Sequence, residues 1–245
     1  MTGLLAAEFL KLRTTKTTWA LLAATVATTV LAVIGAIVAA DNSNLDLESV
    51  RGVRTVLHVT ASGGIFVLVL GVIISAGEYR QRTATDTFLT TPRRWRVIAN
   101  KLVVAATAGV AFGAVSAGFA IAAANHVYTI KGYTFPLDSS GAWQILGGAV
   151  LYAALFGALG AATGSLARNQ VSAIVGWLAW LFVVENIVLG LSPTIGRWLP
   201  AAAGRSLVRD PNADLLAQPT AALVLAGYGA AVMLIAIVSE RRRDA

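Results

Sequence analysis

Glu185, followed by Asn186, interrupts an otherwise apolar run over residues 171–190. An ionisable side chain at the centre of a membrane helix costs about 2.5–3.5 kcal/mol on insertion scales. Those that persist line paths, carry protons or pair with an opposite charge. Glu185 and Asn186 are therefore the translocation-path candidates of this chain. At about 1.5 Å rise per residue, Glu185 falls toward the later third of its run, where the cost is smaller. An arginine in the following segment, such as Arg197, is a suitable counter-charge. The plainer alternative is a glutamate near a water-exposed helix end.

A second chemistry-bearing stretch lies between two apolar runs. Residues 77–101 hold six of the nineteen Lys and Arg residues: Arg80, Arg82, Arg93, Arg94, Arg96 and Lys101. Arg80 to Thr90 is compatible with a short helix. Thr91-Pro92 ends it, because proline disfavours helix in the residue before it, and Pro92 is suited to open the next helix. Trp95 among Arg93, Arg94 and Arg96 fits the headgroup level of a membrane. Such a loop also serves ordinary topology, but a short helix bounded by a proline turn is more than topology requires.

Other chemistries are excluded. No Gly-Lys dipeptide occurs, so this sequence has no P-loop to cradle ATP phosphates. There is no cysteine, hence no disulfide, thiolate metal site or cysteine nucleophile. His58 and His126 are the two histidines, far apart and without neighbouring metal ligands, and are expected to be interfacial polar residues.

The elements that position these residues are membrane spans. Of 245 residues 57% are hydrophobic and 13% charged, against about 25% charged in soluble domains, and the mean hydropathy is +0.73. Several runs exceed the roughly 20 apolar residues that cross a bilayer. None shows the alternation of about ten residues expected of a barrel strand. The sequence predicts an all-α integral membrane protein with spans at 19–40, 56–76, 97–124, 142–166, 171–190 and 220–239. Thirteen Lys and Arg flank the spans on the side of the N-terminus, residues 77–101, Arg168 and the C-terminus, against six on the other. By the positive-inside rule both termini are cytoplasmic, and the net charge of +7 needs no nucleic-acid partner. Val38-Ala39-Ala40 resembles a signal cleavage site, but the run before it is too long for a signal core, so the first span is expected to be retained. Ahead of it, Leu5, Phe9 and Leu12 share one helical face, with Glu8, Lys11 and Thr15 on the other. This predicts an amphipathic interfacial helix over 3–16. Residues 191–219, with four prolines, are expected to hold short interfacial or re-entrant helices. Gly109/Gly113 and Gly160/Gly164 permit close helix packing.

Together these features resemble the membrane subunit of an ABC-2 type ABC transporter. The resemblance rests on Glu8-Phe9-Leu10-Lys11-Leu12-Arg13, the six spans, and the ordered pattern Gly77-Glu78, Thr85, Leu89-Thr90-Thr91-Pro92 and Lys101. It covers essentially the whole chain, through short motifs whose specificity lies in order and spacing. It implies that 3–16 is the elbow helix, 77–96 the cytoplasmic coupling segment and 191–219 an external re-entrant region. Glu78, Arg80, Arg82, Thr85, Asp86 and Phe88 would meet a separate nucleotide-binding subunit, which would carry ATP and Mg²⁺. A second copy or a paralogue would complete the path. The chain itself would be a non-enzymatic permease of the plasma membrane, with no cofactor of its own. An ion- or proton-coupled secondary carrier using Glu185 is the alternative. It would need several intramembrane charges, and a membrane enzyme would need convergent acid, base and nucleophile. Neither pattern is present. A scaffold protein would have little use for the ordered 77–101 segment.

Overall fold

The computed structural model describes residues 2–80, 94–138, 141–211 and 216–242. The helices are α1 (Thr2–Thr14), α2 (Lys16–Asn42), α3 (Val50–Leu57), α4 (Gly64–Arg80), α5 (Arg94–Lys131), α6 (Ala142–Ala167), α7 (Gln170–Leu191), α8 (Pro193–Gly196), α9 (Pro200–Leu207) and α10 (Gln218–Arg242). Six stretches are long and apolar enough to cross a membrane: α2, Val50–Gly77, Val97–Lys131 within α5, α6, α7 and Gln218–Ser239 within α10. No strand occurs among the described residues.

Two of these stretches run past the expected limits for local reasons. Val50–Gly77 begins before the apolar run because Ser49 caps α3, its hydroxyl accepting the Gly52 N–H at 3.0 Å. A 3₁₀ turn over His58–Gly63 then joins α3 to α4. Helix α5 continues past residue 124 through Asn125, His126 and Thr129, which tolerate helix though they are not apolar. It stops at Gly132, whose φ of +79° is the left-handed value favoured just beyond a helix end. The Tyr133 N–H closes that end on the Tyr128 carbonyl at 2.9 Å.

Helix α6 is the centre of the bundle. Its most apolar stretch is 67% buried, against 11% for α7. It packs against α4, α5 and α10, and glycine permits the approach. A Cβ on Gly157 would lie 2.6 Å from the Ala105 carbonyl oxygen, and one on Gly164 2.8 Å from that of Val72. On α5, a Cβ on Gly113 would lie 2.8 Å from Val150 Cα, and Gly109 lies against Ala153 and Ala154. The Gly109/Gly113 and Gly160/Gly164 pairs thus face neighbouring helices of the same chain.

At the end of the bundle where α2 finishes and α3 begins, the two connecting loops are tied together. Tyr128 donates its hydroxyl to the Leu47 carbonyl at 2.8 Å. Lys131 pairs with Asp41. The Thr134 N–H and hydroxyl both donate to Glu48 Oε1, at 2.8 and 2.9 Å, which holds that exposed carboxyl below its ordinary range. Residues 193–207 form the two short helices α8 and α9. Helix α9 is largely buried against α6 and α10, with Gly204 against the Tyr152 ring. Gln218 Nε2 donates to the Leu207 carbonyl at 2.6 Å where α9 ends.

Helix α1 departs from the expected amphipathic face. Glu8 is turned into the bundle and only 5% exposed, while Phe9 (40%) and Leu10 (62%) face outward. Leu12 is half-buried against the cluster around Val67, Leu70 and Phe112. The reason is electrostatic: α1 lies on α5, where Lys101 offers an opposite charge within the bundle.

The glycine contacts make a paired prediction. Gly157→Ala places a methyl against backbone and is expected to cost about 1–3 kcal/mol, as overpacking does. Gly118→Ala, where a Cβ meets nothing within 4 Å, should be neutral or gain up to about 1 kcal/mol from helix propensity. Thermal unfolding in detergent checks the ordering.

Candidate functional site

Among the described residues, buried charge at two places bears on the candidate residues. The first lies at the roots of the basic segment. Backbone helix runs through Glu78 and Arg80 to the end of α4, and resumes at Arg94 with α5. Arg82, Thr85, Asp86 and Phe88 lie outside the described residues, as do the side chains of Glu78 and Arg80. Deeper in the bundle, Lys101 is 4% exposed. Its ammonium donates to the Ile74 carbonyl on α4 at 3.1 Å and stands 3.6 Å from Glu8 Oε1 on α1. The same Glu8 oxygen accepts from Lys11 Nζ at 2.8 Å, one turn along α1 toward the surface. Asn100 and Ser75 are buried on the same two helices. A charged pair held this far from water keeps its position only with good geometry and added hydrogen bonds, which the Ile74 carbonyl supplies in part. Nothing in the sequence pairs Glu8 with Lys101. Ninety-three positions separate them, and Glu8 has Lys11 as a nearer cation on its own helix.

The second site is Glu185, which is 1% exposed. It follows one turn of π-helix over Trp180–Val184, a local widening with an i→i+5 bond that recurs at functional places. The turn leaves the Trp180 indole able to reach along its own helix, and Trp180 Nε1 donates to Glu185 Oε1 at 3.0 Å. The Ala201 N–H donates to both carboxylate oxygens, at 3.1 Å and 2.9 Å. Ala201 is the second residue of α9, after Pro200, which has no N–H to offer. Glu185 thus satisfies an orphan donor at a helix N-terminus, where negative charge is favoured. An arginine such as Arg197 is one of the partners the sequence offers; the structure sets the N-terminus of α9 against the carboxylate, with the charge of Arg205 on that helix also acting on it.

Asn186 lies on another face. It is exposed, and its Nδ2 donates to the Leu181 and Phe182 carbonyls of the π turn at 3.2 and 3.0 Å. Glu185 and Asn186 are adjacent in sequence, but the structure separates them into a buried acceptor and a surface amide. Neither the π turn nor the α9 contact has a sequence signature. The single signal was an acid inside an apolar run.

The histidines stay apart. His58 Nε2 is 3.8 Å from Asp210 Oδ1, and His126 is exposed. Among the described residues no group of three or more His, Asp or Glu side chains is placed to hold a metal ion.

An all-α chain with six apolar membrane-length helices is a multi-pass membrane protein. The profile of the ABC-2 family transporter proteins matches residues 4–188, and the chain belongs to that family. No curated protein and no solved structure matches it. The match takes in Glu8, Ile74, Lys101 and Glu185, and ends before α8 and α9.

Replacing Glu185 tests its place in the wall. Glu185→Leu leaves the Ala201 and Trp180 N–H groups without their acceptor, at an expected cost of about 1–3 kcal/mol. Glu185→Gln keeps one acceptor oxygen and should lose less. Thermal unfolding in detergent, followed by tryptophan fluorescence, gives the order wild type, Gln, Leu. Equal stability of all three contradicts the contact.

Proposed function

We propose that this chain is the permease subunit of an ATP-driven ABC-2 exporter. It forms the translocation path with a second copy or a paralogue, and is driven by a separate nucleotide-binding subunit. The observation that carries this reading is the family match over residues 4–188, which spans α1 and both roots of the basic segment. ATP and Mg²⁺ belong on the partner, since this sequence holds no Gly-Lys and hence no P-loop. Residues 77–96 are the coupling segment, with Glu78, Arg80, Arg82, Thr85, Asp86 and Phe88 meeting the partner. The charge bias places that segment and both termini in the cytoplasm, and 191–219 on the external side of the plasma membrane.

Closure of two nucleotide-binding subunits moves their surface. A segment joined to two spans converts that movement into a displacement of α4 and α5. Asn186, on an exposed face of α7, and Glu185, which holds α9 beside it, are the proposed path residues. The carrier alternative would require Glu185 to be released from the Trp180 and Ala201 N–H groups that hold its carboxyl.

Purification of the tagged chain from its native host tests the proposal. Wild type is expected to bring down an ATPase with a P-loop, and a variant with residues 80–90 replaced by a Gly/Ser linker is not. Arg82→Glu and Asp86→Lys should keep the complex but separate ATP turnover from transport. A well-folded wild-type chain that recovers no ATPase overturns the reading.

A further inference from the structure

We infer that Glu8, Lys101 and the Ile74 carbonyl form a staple that binds α1, α4 and α5 into one rigid arm, making Glu8 and Lys101 positioning residues for the coupling segment. The inference rests on the reading of 77–96 as that segment. The geometry is independent of it.

The two roots of the segment are the end of α4 at Arg80 and the start of α5 at Arg94. Ile74 lies six residues before the first and Lys101 seven after the second. At about 1.5 Å per residue both stand roughly 10 Å above the segment. The hydrogen bond from Lys101 to Ile74 therefore joins the roots at matching height, at 3.1 Å. Glu8 brings in α1, 3.6 Å from Lys101. Helix α1 in turn meets α2 across a single residue, Thr15. Its hydroxyl and N–H both donate to the Lys11 carbonyl, and Trp19 Nε1 donates to the Arg13 carbonyl at 3.0 Å. A push on the segment that made the roots slide past one another would be absorbed there. With the roots fixed in register, it moves α1, α2, α4 and α5 together.

Stability alone does not require charge at this place. Well-packed apolar side chains often hold helices as firmly as a buried ion pair, or more firmly. What they lack is direction: apolar contact tolerates sliding, whereas an ammonium held by a carbonyl on α4 and a carboxylate on α1 defines a register. Both side chains are 6% exposed, so water offers little competition.

The chain has no cysteine, so two introduced cysteines can carry spin labels uniquely. Arg13→Cys on α1 and Val103→Cys on α5 are both exposed positions. The distance between them is measured by pulsed electron resonance in lipid nanodiscs, in the complex with the co-purified ATPase, with and without vanadate-trapped ATP. The staple predicts one narrow distribution, unchanged by nucleotide. Against that background, the double variant Glu8→Leu/Lys101→Met removes both charges of the pair together. It should unfold at the wild-type temperature yet give a broadened distribution that shifts with nucleotide. Lys101→Arg should restore the narrow one. A narrow, unshifted distribution in the double variant overturns the staple, and so does a wild-type distance that moves with nucleotide. If no ATPase co-purifies, the functional reading fails separately. The staple is then judged on the isolated chain, where wild type must still be narrow and the double variant broad.

Discussion

Backbone contact along α6 is the constraint on which the rest of this bundle depends. Between lipid-facing helices burial of apolar surface gives little drive, because the lipid is as apolar as the side chains. Association then rests on close packing and hydrogen bonds. Gly157 and Gly164 on α6, with Gly109 and Gly113 on α5, let main chains approach where any side chain would intrude. That seam fixes α4 and α5 against α6, and therefore fixes the separation of the two helix ends from which residues 81–93 depart. Helices α7 and α10 contribute much less to the packed centre.

Charge is placed where this frame needs a defined register. At one end Lys101 joins α4 and α1 through the Ile74 carbonyl and Glu8. On α7, Glu185 binds the start of α9 to the π turn. Each charge meets partners from a different element, and each would be costly if left alone at that depth. The two arrangements differ in kind. The first ties long helices at the roots of the basic segment, and the second pins a short helix that follows the fifth long one.

The sequence announces the helices because their signal is length and apolarity, which a bilayer demands of any span. All six long helices are legible in that way. The short helices after residue 191 are signalled by Pro193 and Pro200, each of which opens one. Contacts between distant elements are not legible. Periodicity placed Glu8 on the outer face of α1, since an isolated helix turns its charge to water. Only the presence of Lys101 on a helix 93 positions away reverses that choice. Likewise Arg197 was the nearest cation to Glu185 in sequence, but the N-terminus of α9 is a partial positive charge that no residue type records. The 3₁₀ turn at His58–Gly63 and the π turn at Trp180–Val184 are backbone adjustments to packing, in stretches whose composition is ordinary for a span. The candidate contacts Arg82, Thr85, Asp86 and Phe88 remain a sequence-based assignment.

The central claim is that the segment after α4 meets a nucleotide-binding subunit. Incorporating p-benzoylphenylalanine in place of Phe88, irradiating native membranes, and identifying the adduct by mass spectrometry tests it directly. The account predicts a covalent adduct with a separate chain that contains a P-loop. An adduct confined to lipid, or to another copy of this chain, from a folded and membrane-inserted protein would contradict it.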